Sequence, residues 1–375
     1  MAPVAAPAKV LVTGANGFIA VWVVRRLLEA GYTVRGTVRS ADKGTHLREL
    51  FKSYGDKLEL VVVPDITAEG AFDEAVKGID LVEHTASPFT YKADTPDGEN
   101  ILSVATPGIC SCGIVFADLI VPAVKGTVRI LESIKKNASD IPCERSPSVK
   151  RVVLTASVAS VVNPFLPGPV CTYDESCWND PTVEFVEKNP KDSPSPLWYL
   201  ASKTLGEKAA WDFMEKNKSA INFDLVVLNP PYVYGPTLHE VNSPTKLNQS
   251  LLEVYEFVIK SKDTQPIPDG ANAYVDVRDL ADAHVLSAQK AEAGGNRIIV
   301  SGGSYHWQDI LDIAAASKIV DDDKLVKGTP GSGAGKGKNL TFKTDRSDKL
   351  LGLKWTSLED SIKDSLASFK EKNFI

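Results

Sequence analysis

Short apolar runs alternate with stretches of helical periodicity along this chain. The first run, 10–12, predicts a buried strand, and Val21, Val24, Leu27 and Leu28 then recur at helical spacing until Gly31 stops them. Further strands are predicted over 32–38, 58–63 and 81–84, with helices at 44–54 and 72–76 between them. A helix over 119–136 follows, with Val121, Val124, Val128 and Leu131 on one face, then a strand over 151–155, a helix over 197–216 and a strand over 223–228. Beyond residue 236 come a helix over 247–260, a strand over 273–277, a helix over 279–290, a strand over 297–300 and three shorter helices. Strand and helix in alternation, joined by short connections, predict an α/β architecture: a doubly wound parallel sheet with a smaller C-terminal lobe. The expected division is 1–235 for the sheet domain and 236–375 mainly for the second lobe, with some segments returning to the first.

In such sheets ligands sit beyond the carboxyl ends of the strands, so the residues there decide the chemistry. After the first strand stands Gly14-Ala15-Asn16-Gly17-Phe18-Ile19-Ala20. Strand, glycine turn and helix together present backbone N–H groups and the positive helix end to an anion. Gly14 suits a tight turn, Gly17 lets a pyrophosphate approach the backbone, and Ala20 lets helix and strand pack closely, as in a Rossmann-type dinucleotide site. The second strand ends in Arg39, where that fold reads the ribose. An acidic residue there would bind a ribose 2′-OH. Arg39 instead offers a planar fork for a 2′-phosphate, with Lys43 as a second cation and Asp42 as a counterweight. The expected cofactor is NADP(H) rather than NAD(H). At the end of the fourth strand, Thr85 joins the same edge, His84 reads as a packed core histidine, and Phe89 is placed to wall a pocket.

Composition narrows the partners. A chain of 375 residues, 43% hydrophobic and 24% charged, is ordinary for a globular protein with room for two lobes. A net charge of −6 gives no electrostatic footprint for nucleic acid or an anionic membrane. No apolar run reaches the length of a membrane span, and residues 1–8 lack a charged start followed by an apolar core. Five cysteines without paired metal-ligand spacing argue against a disulfide scaffold or a metal site. The Gly-rich run 331–338 is not a P-loop, because Pro330 and Gly337 stand where that motif needs Gly and Ser or Thr. A cytoplasmic protein, monomer or homodimer, acting on a small molecule is expected.

Tyr199-Leu-Ala-Ser-Lys203 sets a phenol and an ammonium one helical turn apart on one face. A phenol with its ordinary pKa of about 10 exchanges a proton poorly at neutral pH unless its anion is stabilised, and a cation one turn away does that. Ser157, just beyond the strand over 151–155, is placed to hydrogen-bond a substrate oxygen. Ser, Tyr and Lys beside a dinucleotide make a carbonyl-reducing site. Tyr199 gives the proton, Lys203 lowers the phenol pKa and holds the nicotinamide ribose, and Ser157 polarises the carbonyl.

With these residues in place the chain resembles the extended short-chain dehydrogenases/reductases, in the branch of plant dihydroflavonol reductases and fungal aldehyde, ketone and methylglyoxal reductases. The matching stretches are 12–19, 36–40, Pro64-Asp65-Ile66, 84–89, 121–127, 173–178, 199–203, 229–236 and 351–354, in order over nearly the whole chain. The resemblance implies catalytic roles for Ser157, Tyr199 and Lys203. It implies NADP contacts for Gly14 to Ile19, Arg39, Lys43, Asp65, Ile66, Pro230 and Val233, with Thr85, Tyr199 and Lys203 alongside and Ser250 as a further phosphate contact. Phe89 and Val158 would line the substrate pocket. The chain departs from the pattern at Ala156, where a first Ser is usual. Two stretches, 99–117 and 139–146, look inserted; they are read as unspliced intron sequence or, alternatively, as loops that cover the pocket.

Other readings stay open. A nucleotide-sugar epimerase or dehydratase uses the same fold, but a dehydratase needs an acidic residue after the strand-end hydroxyl, and Val158, Ala159 and Ser160 stand there. A hydroxysteroid-type dehydrogenase is a second alternative. A non-catalytic NADP(H) sensor is a third; such a protein is free to lose the Tyr–Lys pair that this chain keeps.

Overall fold

The computed structural model describes residues 3–87, 120–139, 149–166, 170–190, 192–259 and 267–375. Phe89 and the stretches 99–117 and 140–146 lie outside them. The chain opens with β1 (Lys9–Thr13), α1 (Phe18–Glu29), β2 (Thr33–Val38), α2 (Thr45–Leu50), β3 (Leu58–Val62) and β4 (Leu81–His84). It continues with α3 (Ile120–Ser139), β5 (Arg151–Thr155), β6 (Cys171–Tyr173), α4 (Asp180–Lys188), α5 (Ser195–Lys216), β7 (Asp224–Asn229) and β8 (Tyr232–Tyr234). Then follow α6 (Gln249–Val258), β9 (Ala271–Asp276), α7 (Val277–Gln289), β10 (Arg297–Ile299), β11 (Gly303–His306) and α8 (Trp307–Ser317). Last come β12 (Leu340–Phe342), α9 (Asp345–Leu350) and α10 (Leu358–Glu371).

Seven strands form one parallel sheet in the order β10-β7-β5-β4-β1-β2-β3. Alternate residues of each strand serve opposite faces. Val10, Val12, Val153 and Val226 pack into a core with α1 and α7, while Leu11, Val82, Val152 and Val227 pack into another with α3 and α5. The chain runs outward from β1 in both directions, through β2 on one side and β4 on the other. The connections therefore part between β1 and β4, and a crevice opens at their carboxyl ends. β10 comes from far along the chain to close the other edge. A second sheet, β11-β9-β8, and the pair β12-β6 stand beyond the carboxyl edge of the first.

Two predicted helices take other forms. The 72–76 segment is a run of turns, with Val76 N–H bonded to Phe72 O at 2.9 Å between Gly70 and Gly78, both at φ +70°. The 44–54 segment breaks into a tight turn over 41–44, α2, and a second turn kinked at Gly55. The stretch 163–196, free of any periodic signal, holds β6 and α4. No helix among the described residues is long and apolar enough to cross a membrane.

One buried arginine pairs two strands of the sheet and ties them to the end of α7. Arg151, wholly buried on β5, donates to both oxygens of Asp224 on β7 (2.7 and 2.8 Å) and to the carbonyls of Ser287 and Lys290 (2.6 Å each). Arg151→Met leaves a mostly buried carboxylate and two carbonyls without their donor. Denaturant unfolding should show a loss of about 3–5 kcal/mol; a loss under about 1 kcal/mol would mean that the pair does not hold these elements together.

Candidate active site

The crevice is built from strand ends. Gly14 adopts φ +63°, and a Cβ on it would meet Ala86 Cβ at 3.2 Å, so the turn needs glycine for both conformation and approach. Thr37 fastens that turn, accepting Gly14 N–H at its hydroxyl (3.0 Å) and Ala15 N–H at its carbonyl (2.9 Å). Gly17 is the N-cap of α1; no side chain caps the helix, and its first turn carries no acid. The positive end of α1 thus faces the cleft bare.

The loop after β4 is sewn to β1 by Thr13. Its hydroxyl accepts the N–H groups of Thr85 (3.1 Å) and Ala86 (3.0 Å), and it lies 2.9 Å from His84 Nδ1. With two donors already pointing at that oxygen, its own proton goes to Nδ1, which leaves the His84 proton on Nε2, buried without a partner among the described residues. His84 is a core residue, edge-on to Phe72 at 6.1 Å.

Ser157 follows β5 by two residues and caps a short helical turn, accepting Ala159 N–H at 3.1 Å. Across from it, α5 carries Tyr199 and Lys203 one turn apart. Ser157 and Tyr199 share a hydrogen bond that favours the phenolate, but burial dominates and pushes the phenol up to about 12. Burial likewise pushes the Lys203 ammonium down to about 8. Lys203 Nζ donates to Ser87 Oγ at 2.9 Å and lies 5.8 Å from the Tyr199 ring centre. The phenol's pKa is therefore set by burial and by Ser157, and the expected lowering by Lys203 is not seen in the protein alone.

Gly14, Gly17, Phe18, Ile19, Thr85, Ser157, Tyr199, Lys203, Pro230, Val233 and Ser250 all line one cleft of about 270 Å³. The other expected residues stand apart from it. Ala15 is buried against Gly36, where a Cβ would come within 2.8 Å of Ala15 Cβ, and neither Ala15 nor Asn16 is on the lining. Arg39 and Lys43 are exposed, with no side-chain hydrogen bond or ion pair among the described residues. Asp65 accepts the N–H and hydroxyl of Thr67 (2.8 and 2.7 Å); these bonds, then Arg39 and Lys125, hold its carboxyl below the usual range. Ile66 packs on α3, where a Cβ on Gly126 would lie 3.0 Å from it. Asp276 caps α7 as well as pairing with Arg278, whereas Asp279 grips Thr356.

A second cleft of about 290 Å³ adjoins the first and shares Ser157, Tyr199, Pro231, Gln249 and Ser250 with it. Val158 lines it as expected, together with Val162, Leu200, Tyr232, Asn272, Leu340 and Phe342. Leu200 was legible as the neighbour of Tyr199. Leu340 and Phe342 had no local signal, because the pairing of β12 with β6 brings them there. Among the described residues no group of three or more His, Cys, Asp or Glu is placed to hold a metal ion.

Burial pushes His84 from 6.5 down to about 4, with the Lys203 charge adding to the effect; His239 is pushed down to about 4 by burial. Between those values the unfolded chain binds more protons than the folded one. Stability should be complete above about pH 6.5 and fall as pH drops toward about 4, and His84→Gln should flatten that slope in urea titrations. Identical slopes in the two proteins would contradict the assignment of His84 as a buried neutral residue.

The sequence profile of the NAD dependent epimerase/dehydratase family matches residues 10–106 and 117–302. The break falls inside one of the two stretches read as inserted. The NADPH-dependent methylglyoxal reductase GRE2 of Saccharomyces cerevisiae is 38% identical over 362 residues, covering 95% of this chain and 96% of that protein. The cinnamoyl-CoA reductase CAD2 of Medicago truncatula is 36% identical, covering 97% and 96%. The crystal structure of yeast methylglyoxal/isovaleraldehyde reductase Gre2 complexed with NADPH superposes with a TM-score of 0.83 at 36% identity, over 98% of this chain and 100% of that one. The chain belongs to the NAD dependent epimerase/dehydratase family, in the extended short-chain dehydrogenase/reductase branch that its sequence resembles.

Proposed function

We propose that this protein is an NADPH-dependent reductase of neutral aldehydes and ketones, with Tyr199 as the proton donor. One observation carries the reading. A continuous cleft starts at the uncapped end of α1, passes Ser157, Tyr199 and Lys203, and opens into a pocket with no charged side chain among the described residues of its lining. The relatives' names support it, since each is a reductase and two of them specify NADPH.

The donor set fits NADPH. The bare helix end and Gly17, where a Cβ would sit 3.3 Å from Gly14 O, suit a pyrophosphate. Arg39 and Lys43, both exposed and free of other bonds among the described residues, suit a 2′-phosphate. Bound there, the cofactor supplies the hydride. Ser157 hydrogen-bonds the substrate oxygen and sets its direction. Tyr199 arrives protonated, because burial holds it at about 12, and gives its proton to that oxygen as negative charge builds. Lys203, at about 8, is mostly charged at neutral pH and lowers the cost of the phenolate left behind.

The pocket selects by polarity. Val158, Val162, Leu200, Leu340 and Phe342 make an apolar wall; Gln249, Asn272 and Tyr232 add neutral polar groups. Among the described residues that lining offers no cation to the diphosphate of a nucleotide sugar, which weighs against the epimerase reading. Gln249, Ser250, Asn272, Ala273, Leu340 and Phe342 of this lining lie beyond residue 235, which supports a substrate-binding role for the second lobe. The proposed setting is the cytosol, in keeping with the free thiols of Cys171 and Cys177, as monomer or homodimer.

The test is NADPH consumption over matched neutral and carboxylate-bearing carbonyls. Neutral aldehydes and ketones should turn over and their anionic counterparts should lag by at least about tenfold. Turnover of none of them, with conversion of a nucleotide sugar, would overturn the reading. For the cofactor, Arg39→Ala should weaken NADPH binding about ten- to a hundredfold and leave NADH binding unchanged in fluorescence titrations. Equal losses for both cofactors would remove the 2′-phosphate role.

A further inference from the structure

A third polar residue stands in line with the candidate catalytic pair. Tyr199, Lys203 and Glu207 recur at every fourth position of α5 and so share one stripe. The first two face the cleft. Glu207 is 2% exposed, and its carboxylate gathers groups from three other elements. Arg297 on β10 donates to it from Nε (2.5 Å) and a terminal nitrogen (3.3 Å). Asn229, the last residue of β7, donates from its amide at 2.8 Å. Ser160, in the turn after β5, meets it through its hydroxyl.

Two of these partners also hold Ser157. The Asn229 amide donates to the Ser157 carbonyl at 3.2 Å, and the Ser160 hydroxyl lies 2.8 Å from the same oxygen. The orientation of Asn229 is unfavourable at its other end, since Oδ1 is buried with no partner among the described residues. The acceptors at Ser157 and Glu207 therefore dictate which way the amide points, at the expense of its own oxygen. Arg297 is fixed from outside as well. It donates to the carbonyls of Glu175 and Cys177 at 2.8 Å each, and its guanidinium lies over Trp178, 3.5 Å from the ring centre.

Stability alone does not call for this arrangement. A buried ion pair gains little over a well-packed apolar pair, because both charges lose their water. It does give direction: a charged fork and an amide lock helix, turn and two strand ends at fixed angles, where apolar contacts allow small slides. We propose that Glu207 and Arg297 are positioning residues for the catalytic site, which set the Ser157 hydroxyl against the Tyr199 phenol through Asn229 and Ser160. The proposal rests on the reductase reading above.

The test is a mutant cycle in carbonyl reduction with NADPH, using Ser160→Ala and Glu207→Gln, each alone and combined with Ser157→Ala. Ser160→Ala removes one hydroxyl and leaves the ion pair intact, so it carries the test even where Glu207→Gln yields too little folded protein. Each variant alone should lower kcat by about tenfold, with KM and NADPH affinity within about twofold of wild type. In the Ser157→Ala background the same substitution should cost less than about twofold, because the group it acts through is gone. In the reverse direction, alcohol oxidation by NADP⁺ should rise at higher pH in the single variants, since the phenolate loses part of its hydrogen bond from Ser157. An unchanged kcat, or the same loss in both backgrounds, overturns the proposal and leaves the reductase reading standing. If wild type reduces no carbonyl, the reductase reading fails and the proposal fails with it.

Discussion

The glycine turn, Thr85, Ser157, Tyr199 and Lys203 meet at the carboxyl edge of one parallel sheet. Parallel pairing forces β1, β2, β4, β5 and β7 to end on the same side, so the residues that follow them must meet. Gly14 and Thr85 are held one against the other by the Thr13 hydroxyl. Ser157 leans on the end of β7, through Asn229 and the carbonyl of Pro230. On one face of the sheet α5 reaches this edge beside α3, and it carries Tyr199, Lys203 and Glu207 along one stripe.

Burial then sets the proton positions. The edge is dry enough to push Tyr199 up to about 12 and Lys203 down to about 8. Both shifts have the same cause and opposite sign, because each favours the neutral form. A phenol that keeps its proton suits reduction, whereas the reverse reaction needs that proton removed. His84, though nearby in sequence to the cleft, is excluded from this exchange by full burial against Phe72 and Thr13.

What could be read from the residues followed the range of the interactions. The β1–turn–α1 unit and the pair Tyr199–Lys203 are local, with their spacing written in the chain, and the strands of the main sheet are apolar enough to announce themselves. The 72–76 segment was mistaken for a helix because apolar spacing over so few residues does not tell a helix from a chain of turns; Gly70 and Gly78, at φ +70°, break it at both ends. Ala15, a cofactor contact by the resemblance, packs its side chain against Gly36 on the next strand, a neighbour that nothing local in the sequence marks. The second cleft was the least legible part. Leu340 and Phe342 reach it through a strand pairing that spans much of the chain, and nothing near them in sequence marks it. Glu207 and Arg297 were missed for the same reason, as partners far apart in sequence.

On the proposed reading, Tyr199 delivers the proton in a carbonyl reduction supported by NADPH. The most direct measurement is the rate of NADPH oxidation by a neutral aldehyde in Tyr199→Phe beside wild type, with NADPH affinity determined on the same samples. With Tyr199 as the proton donor, kcat should fall by about a hundred- to ten-thousandfold with cofactor affinity unchanged. A variant that retains kcat within about tenfold of wild type would contradict it.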